Sequence, residues 1–252
     1  MARIFNRQLL TIFILFMFGL SADAEKAFSL ESKSFLWKVR SKTNTVHLLG
    51  SVHLFKKELY PLNRKIEDAF TQSDLLAVEA NINDSRQMDL QKLVEKTLYL
   101  DEDTLENHVS KETYELITKK TVELGLSLEL IKKQKPWFLG LMFTSVGFLK
   151  LGLDPNYGMD QYFLSKASGK KTILELESLN YQINLLSNFN DRDQELFLLM
   201  GLRDLDTLGQ DLDKFLRAWI SGDTRSLEKM MTRSLIEDPS VSSTLKRRIE
   251  TR

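Results

Sequence analysis

The sequence predicts an α/β protein with a mixed sheet, an N-terminal β-hairpin and a large helical insertion. Residues 35–40 and 45–49 are apolar or alternating at strand length, and the polar segment 41–44 between them is typical of a hairpin turn. A short apolar run at 75–78 and the strand-like pattern of residues 171–176 predict two further strands. Apolar residues recur at helical spacing between those two runs. Strands that alternate with helices are typical of the α/β class.

Several helices follow from the same reading. Few prolines and glycines interrupt the chain, which favours helices joined by short turns. The predicted helices are one opened by Pro61, two over residues 110–134 broken near Gly125, a core helix at 137–149, one capped by Ser178, and one over 205–220.

Residues 1–24 have the features of a cleavable secretory signal. Arg3 and Arg7 supply positive charge, residues 9–20 are uncharged and apolar, and small residues precede an expected cleavage after Ala24. The alternative is a membrane anchor, but the apolar stretch is shorter than the roughly 18 residues that cross a bilayer. We therefore expect a periplasmic or secreted protein, with no stable membrane insertion after cleavage.

The composition of the mature chain, residues 25–252, limits its expected partners and the side chains that could act in catalysis or bind a metal. Cleavage removes two of the 35 basic and one of the 35 acidic side chains, so the mature chain stays close to neutral. This balance gives no electrostatic reason to expect nucleic acid or an anionic membrane as a partner. The chain contains no cysteine, which excludes disulfides, thiolate catalysis and thiolate metal ligands.

His53 is the strongest candidate site residue of the three histidines. It follows the second strand as Gly50-Ser51-Val52-His53, and Gly50 lets the backbone turn at the strand end. Ligands of α/β sheets bind at that edge. Glu79 follows the strand at 75–78 in the same way, and it would emerge beside His53 if the two strands are parallel neighbours. Imidazole and carboxylate could bind a divalent metal or act as an acid–base pair, although Glu79 could equally face solvent.

Other polar residues have both a structural and a functional interpretation. His47 lies inside the second strand, where a structural role is favoured, and His108 lies among charged residues, which predicts a solvated side chain. Asp160 stands at a predicted helix start and could be a helix cap. Glu175 and Glu177 flank Leu176 at the end of a strand, where alternation puts both on one face.

These segments together resemble the TraB/GumN family, which includes the Tiki-type metalloproteases and is related to the erythromycin-esterase and ChaN-like folds. The resemblance covers roughly residues 35–190. Its segments are 35–39, 46–53, 75–79, Lys135-Pro136-Trp137, 151–160 and 174–178, with Gln182 one helical turn later. The resemblance implies a two-part α/β fold and metal-dependent hydrolysis.

The resemblance also assigns roles to individual residues. His53 matches the histidine of the family's first Gly-x-x-His motif, and Glu79 matches the acidic residue on the next strand. They would act as metal ligands, with Glu79 as a ligand or general base, and the metal would be Zn²⁺, Mn²⁺ or Co²⁺. Gly50, Asp160, Glu177 and Gln182 match further positions of the possible site.

The sequence departs from the family at its C-terminal end. Family members continue with a strand, a second Gly-x-x-His motif, a helix and a last strand. Here the last histidine is His108 and the last glycine is Gly222, and residues 240–252 look like the start of a helix. The sequence therefore predicts a TraB/GumN-like domain over residues 25–252 that is incomplete at its C-terminal end, either because the chain is truncated or because the family's site has decayed. The missing strands would leave an open sheet edge and uncovered apolar faces.

Three functional hypotheses remain open from the sequence. The first is an exported metal-dependent hydrolase, peptidase-like, with a site around residues 50–53. The second is a non-catalytic protein that binds a peptide or small molecule in the same cleft, and the third is an inactive relative.

Overall fold

The computed structural model describes residues 34–84 and 89–237. The predicted signal peptide, residues 1–24, and the helix start predicted at 240–252 lie outside the described residues. Both therefore stay predictions.

Four strands occur within the described residues, and they form two sheets of two strands each. They are β1 (Leu36–Arg40), β2 (Thr45–Leu49), β3 (Leu75–Val78) and β4 (Thr172–Glu175). β1 and β2 pair antiparallel, and the Ser41 hydroxyl accepts the Asn44 amide at 2.9 Å to close the turn. This confirms the predicted hairpin. β3 pairs with β4, so the described strands form two small sheets where the sequence predicted one mixed sheet.

The helices confirm the predicted helical insertion between β3 and β4. In chain order they are α1 (Arg64–Gln72), α2 (Leu90–Thr97), α3 (Lys111–Glu123), α4 (Leu128–Ile131), α5 (Pro136–Lys150), α6 (Met159–Ala167), α7 (Leu179–Ser187), α8 (Asp191–Ser221) and α9 (Thr224–Glu237). The break between α3 and α4 falls at Gly125, whose φ of +69° lies in the left-handed region that glycine tolerates. Ser178 caps α7 by accepting the Tyr181 amide, as predicted.

Two elements differ from the prediction in their bounds. α1 begins at Arg64 and not at Pro61, because the Asn63 side chain accepts the Lys65 amide and caps the helix there. α8 begins at Asp191, well before the predicted start at 205.

The prediction of a core helix is confirmed by α5, which buries Leu139, Phe143 and Phe148. None of the helices in the described residues is long and apolar enough to span a membrane.

The chain divides into two compact units. Among the described residues, the first unit comprises 34–76, 151–174 and 208–237, and the second comprises 77–84, 89–150 and 175–207. The first has a core that includes Val52, Phe55, Met159, Phe163, Phe215 and Trp219. The second has a core that includes Leu105, Ile117, Ile131, Leu139, Phe143 and Leu198. Each core is apolar and buried, so each unit has its own hydrophobic stabilisation.

Candidate functional site

The loop that carries His53 is fixed at its first residue. The Gly50 amide donates to the Phe35 carbonyl at 2.9 Å, and the indole Nε1 of the buried Trp219 donates to the Gly50 carbonyl at 2.8 Å. A Cβ at Gly50 would lie 1.9 Å from the Phe35 ring, so a larger residue would displace that ring. Glycine is therefore required here by close packing.

The start of α6 packs against the other end of the same loop. The Met159 amide donates to the Val52 carbonyl at 2.8 Å. A Cβ at Gly158 would lie 2.0 Å from the His53 carbonyl oxygen, so only glycine permits this approach. The N-cap of α6 is Gly158, and Asp160 lies in the first turn. The interpretation of Asp160 as the helix cap is therefore wrong.

Asp160 instead bonds two side chains of the loop through one carboxylate oxygen. Its Oδ2 atom accepts the Ser51 hydroxyl at 2.5 Å and lies 2.6 Å from His53 Nδ1. The side chains of His53 and Asp160 are 25% and 15% exposed, so the pair is partly shielded yet reachable from solvent. The structure thus brings together Gly50, His53 and Asp160, three of the predicted site residues.

The charge state of Asp160 determines the proton position on His53. Burial alone would raise the pKa of the Asp160 carboxyl, but the hydrogen bond and charge of His53 and the Ser51 hydrogen bond outweigh it, so the pKa lies below its ordinary value. An ionised carboxylate only accepts hydrogen bonds, so His53 Nδ1 must carry the proton. In the neutral ring Nε2 is then the basic atom, able to accept a proton or bind a metal.

A second polar cluster fastens α6 to α1. The Tyr162 hydroxyl donates to Glu67 Oε1 at 2.6 Å, and Lys166 Nζ donates to Glu67 Oε2 at 2.6 Å. Burial, followed by the charges of Tyr162, Asp160 and Glu67, raises the pKa of Tyr60, so its hydroxyl stays protonated and donates to the Tyr157 carbonyl. These contacts hold the helix that carries Asp160.

The remaining predicted residues gather in the second unit, where β3 and β4 end. The Glu177 amide donates to the Glu79 carbonyl at 2.8 Å, and the Asn81 amide donates to Glu175 Oε1 at 2.7 Å. Burial raises the pKa of the Glu177 carboxyl, and a hydrogen bond with Gln182 opposes the rise. Glu79, Glu177 and Gln182 are therefore neighbours by backbone or side-chain contact.

The condition under which His53 and Glu79 would emerge side by side, that β2 and β3 are parallel neighbours, is not met. β2 pairs with β1, whereas β3 pairs with β4, so β2 and β3 do not belong to one sheet. His53 belongs to the first unit and Glu79 to the second.

The described residues do not supply a complete metal site. Within residues 34–84 and 89–237, no three His, Asp or Glu side chains are grouped so that they could hold a metal ion. His53 could provide one ligand through Nε2, with Asp160 orienting the ring, but a structural site usually needs four ligands and a catalytic one three.

His108 is not the solvated residue that the sequence predicted. Its Nε2 lies 2.7 Å from Asp103 Oδ2, its Nδ1 lies 3.0 Å from Asp191 Oδ2, and its side chain is only 22% exposed. The ring also stacks on Tyr99 at 4.0 Å. His47, by contrast, is half-buried within β2, in keeping with its expected structural role.

Comparison with known proteins identifies the family of this chain. The model of the TraB/PrgY/gumN family matches residues 35–251. The chain belongs to this family. Two curated relatives, each called "Uncharacterized protein YbaP", come from Escherichia coli (strain K12) and Shigella flexneri. Each is 28% identical over 149 residues, which is 58% of this chain and 53% of the relative.

A third relative is an "Uncharacterized protein" from Treponema pallidum (strain Nichols). It is 23% identical over 223 residues, or 85% of this chain and 65% of the relative. The matches thus span between about half and two thirds of the relatives' own lengths. No solved structure matches the chain.

Sequence reasoning missed Ser51 and Trp219 as parts of the site. Ser51 lies inside the Gly-x-x-His motif, so its hydroxyl one residue after the turn was an available signal. Trp219 lies in a helical apolar pattern, which predicts a core residue and gives no sign of its bond to Gly50 across 169 positions.

Proposed function

We propose that this chain is an exported hydrolase of peptide-like bonds in which His53 is the general base and Asp160 orients it. The observation that carries the proposal is the 2.6 Å contact between His53 Nδ1 and a carboxylate whose pKa is held low. A carboxylate bonded to Nδ1 fixes the tautomer in which Nε2 accepts a proton, and it stabilises the imidazolium that then forms.

The proposed reaction is water attack on a carbonyl. His53 Nε2 takes one proton from water as the water oxygen bonds to the carbonyl carbon. The same proton passes to the leaving amine or alkoxide when the bond to the carbonyl carbon breaks, so the ring ends as it began. Asp160 stays ionised throughout, and Ser51 holds its carboxylate in place.

The metal remains a prediction from the family resemblance. Zn²⁺, Mn²⁺ or Co²⁺ would polarise the carbonyl and lower the pKa of bound water. Because the described residues supply no set of three ligands, the reaction above uses none of this chemistry. The predicted role of Glu79 as a ligand or base likewise stays a prediction. Metal analysis of the purified protein, and the rate before and after chelation, test this point.

Export rests on the predicted signal at residues 1–24. The proposal predicts that protein recovered from the periplasm or medium begins at Glu25, as read by N-terminal sequencing. Full-length chain retained in the cytoplasm would oppose it.

The alternative function is non-catalytic binding of a peptide or small molecule. It is favoured by one observation, the lack of three grouped metal ligands in the described residues. Peptide binding that persists without turnover in both the native protein and the His53→Ala variant would support it.

The experiment that tests the hydrolase is a comparison of two histidines on the same stretch of chain. His53→Ala should lower kcat/KM for ester and peptide substrates by about a thousandfold, within the range of about 10²–10⁴ for loss of a general base. His47→Gln is the matched control, and its rate should stay within about twofold of the native rate. Hydrolysis at full rate by His53→Ala would rule out the assignment.

A further inference from the structure

The β1–β2 hairpin has one face made of apolar side chains that are open to solvent. The register pairs Trp37 with Leu48 and Val39 with Val46, so these four side chains share one face. Their exposed fractions are 43%, 47%, 53% and 51% respectively. A cluster of exposed apolar residues on a protein surface is typical of an interaction site.

The same hairpin carries only positive charge. Lys38 and Arg40 alternate with the apolar residues and so point to the opposite face, and Lys42 lies in the turn. All three are exposed. No Asp or Glu occurs from Ser34 to Lys57. The hairpin is therefore an amphipathic, cationic element, although the chain as a whole is close to neutral.

The core of the first unit holds the base of this hairpin. Leu36 and Leu49 pack against the core, and the Gly50 and Trp219 bonds fix the end of β2. The base of the hairpin is thus fixed to the core of the first unit, and residues 37–48 extend from that base.

We propose that residues 37–48 dock on the surface of an anionic lipid bilayer. The apolar face would lie in the boundary between headgroups and acyl chains, where tryptophan is enriched. Lys38, Arg40 and Lys42 would reach the lipid phosphates, because long cationic side chains extend from an apolar base to a polar region. This is peripheral binding and needs no membrane-spanning segment.

Charge distinguishes this occupant from a second copy of the chain. Packing of two hairpins through their apolar faces would leave Lys38 and Arg40 on the outer faces, so a dimer would bury the apolar residues and give the positive charge no partner. An anionic bilayer complements both the charge and the apolar face.

The test is co-sedimentation of the signal-processed protein with vesicles of phosphatidylcholine, with or without phosphatidylglycerol. Binding should require phosphatidylglycerol and weaken with salt. The Lys38→Gln/Arg40→Gln/Lys42→Gln variant should bind about a hundredfold more weakly, since each cation near the surface contributes about fivefold. The matched control is Lys65→Gln/Lys170→Gln/Lys214→Gln, which removes three exposed lysines elsewhere in the unit and should bind within about twofold of native.

Fluorescence gives a second readout. Trp137 and Trp219 are 2% and 3% exposed, so a blue shift on vesicle addition would report Trp37. The Trp37→Ser/Leu48→Ser variant should lose both the shift and the sedimentation. Circular dichroism of each variant should match the native spectrum, since all the changed side chains are exposed.

Three results would overturn the proposal. The first is that the protein binds neither kind of vesicle. The second is that the hairpin charge variant binds vesicles as tightly as the native protein does. The third is that the native protein binds no vesicles and forms a dimer, and that the Trp37→Ser/Leu48→Ser variant is a monomer. The last would assign the face to a second copy of the chain.

Discussion

His53 in the first unit and His108 in the second are both bonded to aspartate, but the aspartates lie differently around the two rings. Asp160 contacts His53 at Nδ1, whereas Asp103 and Asp191 contact His108 at both ring nitrogens. A carboxylate at Nδ1 holds the proton there, so Nε2 is the basic nitrogen of the neutral His53 ring. Carboxylates at both nitrogens favour a proton on each, which makes a cation. The placement of the carboxylates around the ring therefore distinguishes a candidate base from a histidine that favours its charged form.

The pKa values in the second unit agree with this distinction. Burial lowers the pKa of His108, but the hydrogen bonds with Asp103 and Asp191 outweigh it, so the pKa lies above 6.5. Hydrogen bonds with Asn107 and then His108 lower the pKa of Asp103 to about 2. His108 thus joins Asp103 to Asp191 at the start of α8, and its ring keeps its positive charge to a higher pH than an ordinary histidine does.

The largest effect expected after loss of His53 itself is that of removing Asp160, the carboxylate bonded to its Nδ1. Asp160→Asn should lower kcat/KM by about a hundredfold, because a neutral amide neither fixes the tautomer nor stabilises the imidazolium. Asp103→Asn, which removes an aspartate from His108, is the control and should leave the rate unchanged. A rate for Asp160→Asn within twofold of native would contradict a positioning role for Asp160.

A smaller effect is expected from Ser51→Ala. This change removes the Ser51 hydroxyl, a donor to Asp160, and should lower the free energy of unfolding by about 1–2 kcal/mol, with a fall of a few-fold in kcat. Urea denaturation and steady-state kinetics measure the two quantities. Ser165→Ala, an exposed serine on α6, should change neither. Equal behaviour of the two variants would remove Ser51 from the site.

The sequence predicted elements better than it predicted contacts. The hairpin, the break at Gly125 and the cap at Ser178 depend on residues close together in the chain, so periodicity and turn chemistry suffice. His53 was predicted because its loop follows a strand directly. The Ser51–Asp160 bond joins residues 109 positions apart, and no local pattern encodes that pairing.

His108 shows how local reading fails. Its neighbours in sequence are charged, which indicates solvent, yet one of its two partners is Asp191, 83 positions away. The α1 boundary was missed for a different reason: Pro61 and Asn63 both favour a helix start, and the Asn63 cap determines the observed one.

The smallest effect is a pH dependence of stability from His108. Because its folded-state pKa is raised above 6.5, its contribution is fully present below that pH and is lost as pH rises through the folded-state pKa. The native protein should therefore exceed His108→Gln in stability by about 0.5 kcal/mol at pH 5.5 and by less at pH 8.5. Urea denaturation of both proteins at the two pH values measures this. A gap that widens toward pH 8.5 would contradict a charged His108.

The contrast between the two histidines is tested most directly by ¹⁵N NMR of the ring nitrogens across pH 5–9. In its neutral form, His53 should show the proton on Nδ1, and Asp160→Asn should disturb that pattern while Asp103→Asn leaves it intact. In the Asp160→Asn variant, His108 should keep both ring nitrogens protonated up to a higher pH than His53 does. A neutral His53 with its proton on Nε2 would contradict the account, because the nitrogen assigned as the base would already be occupied.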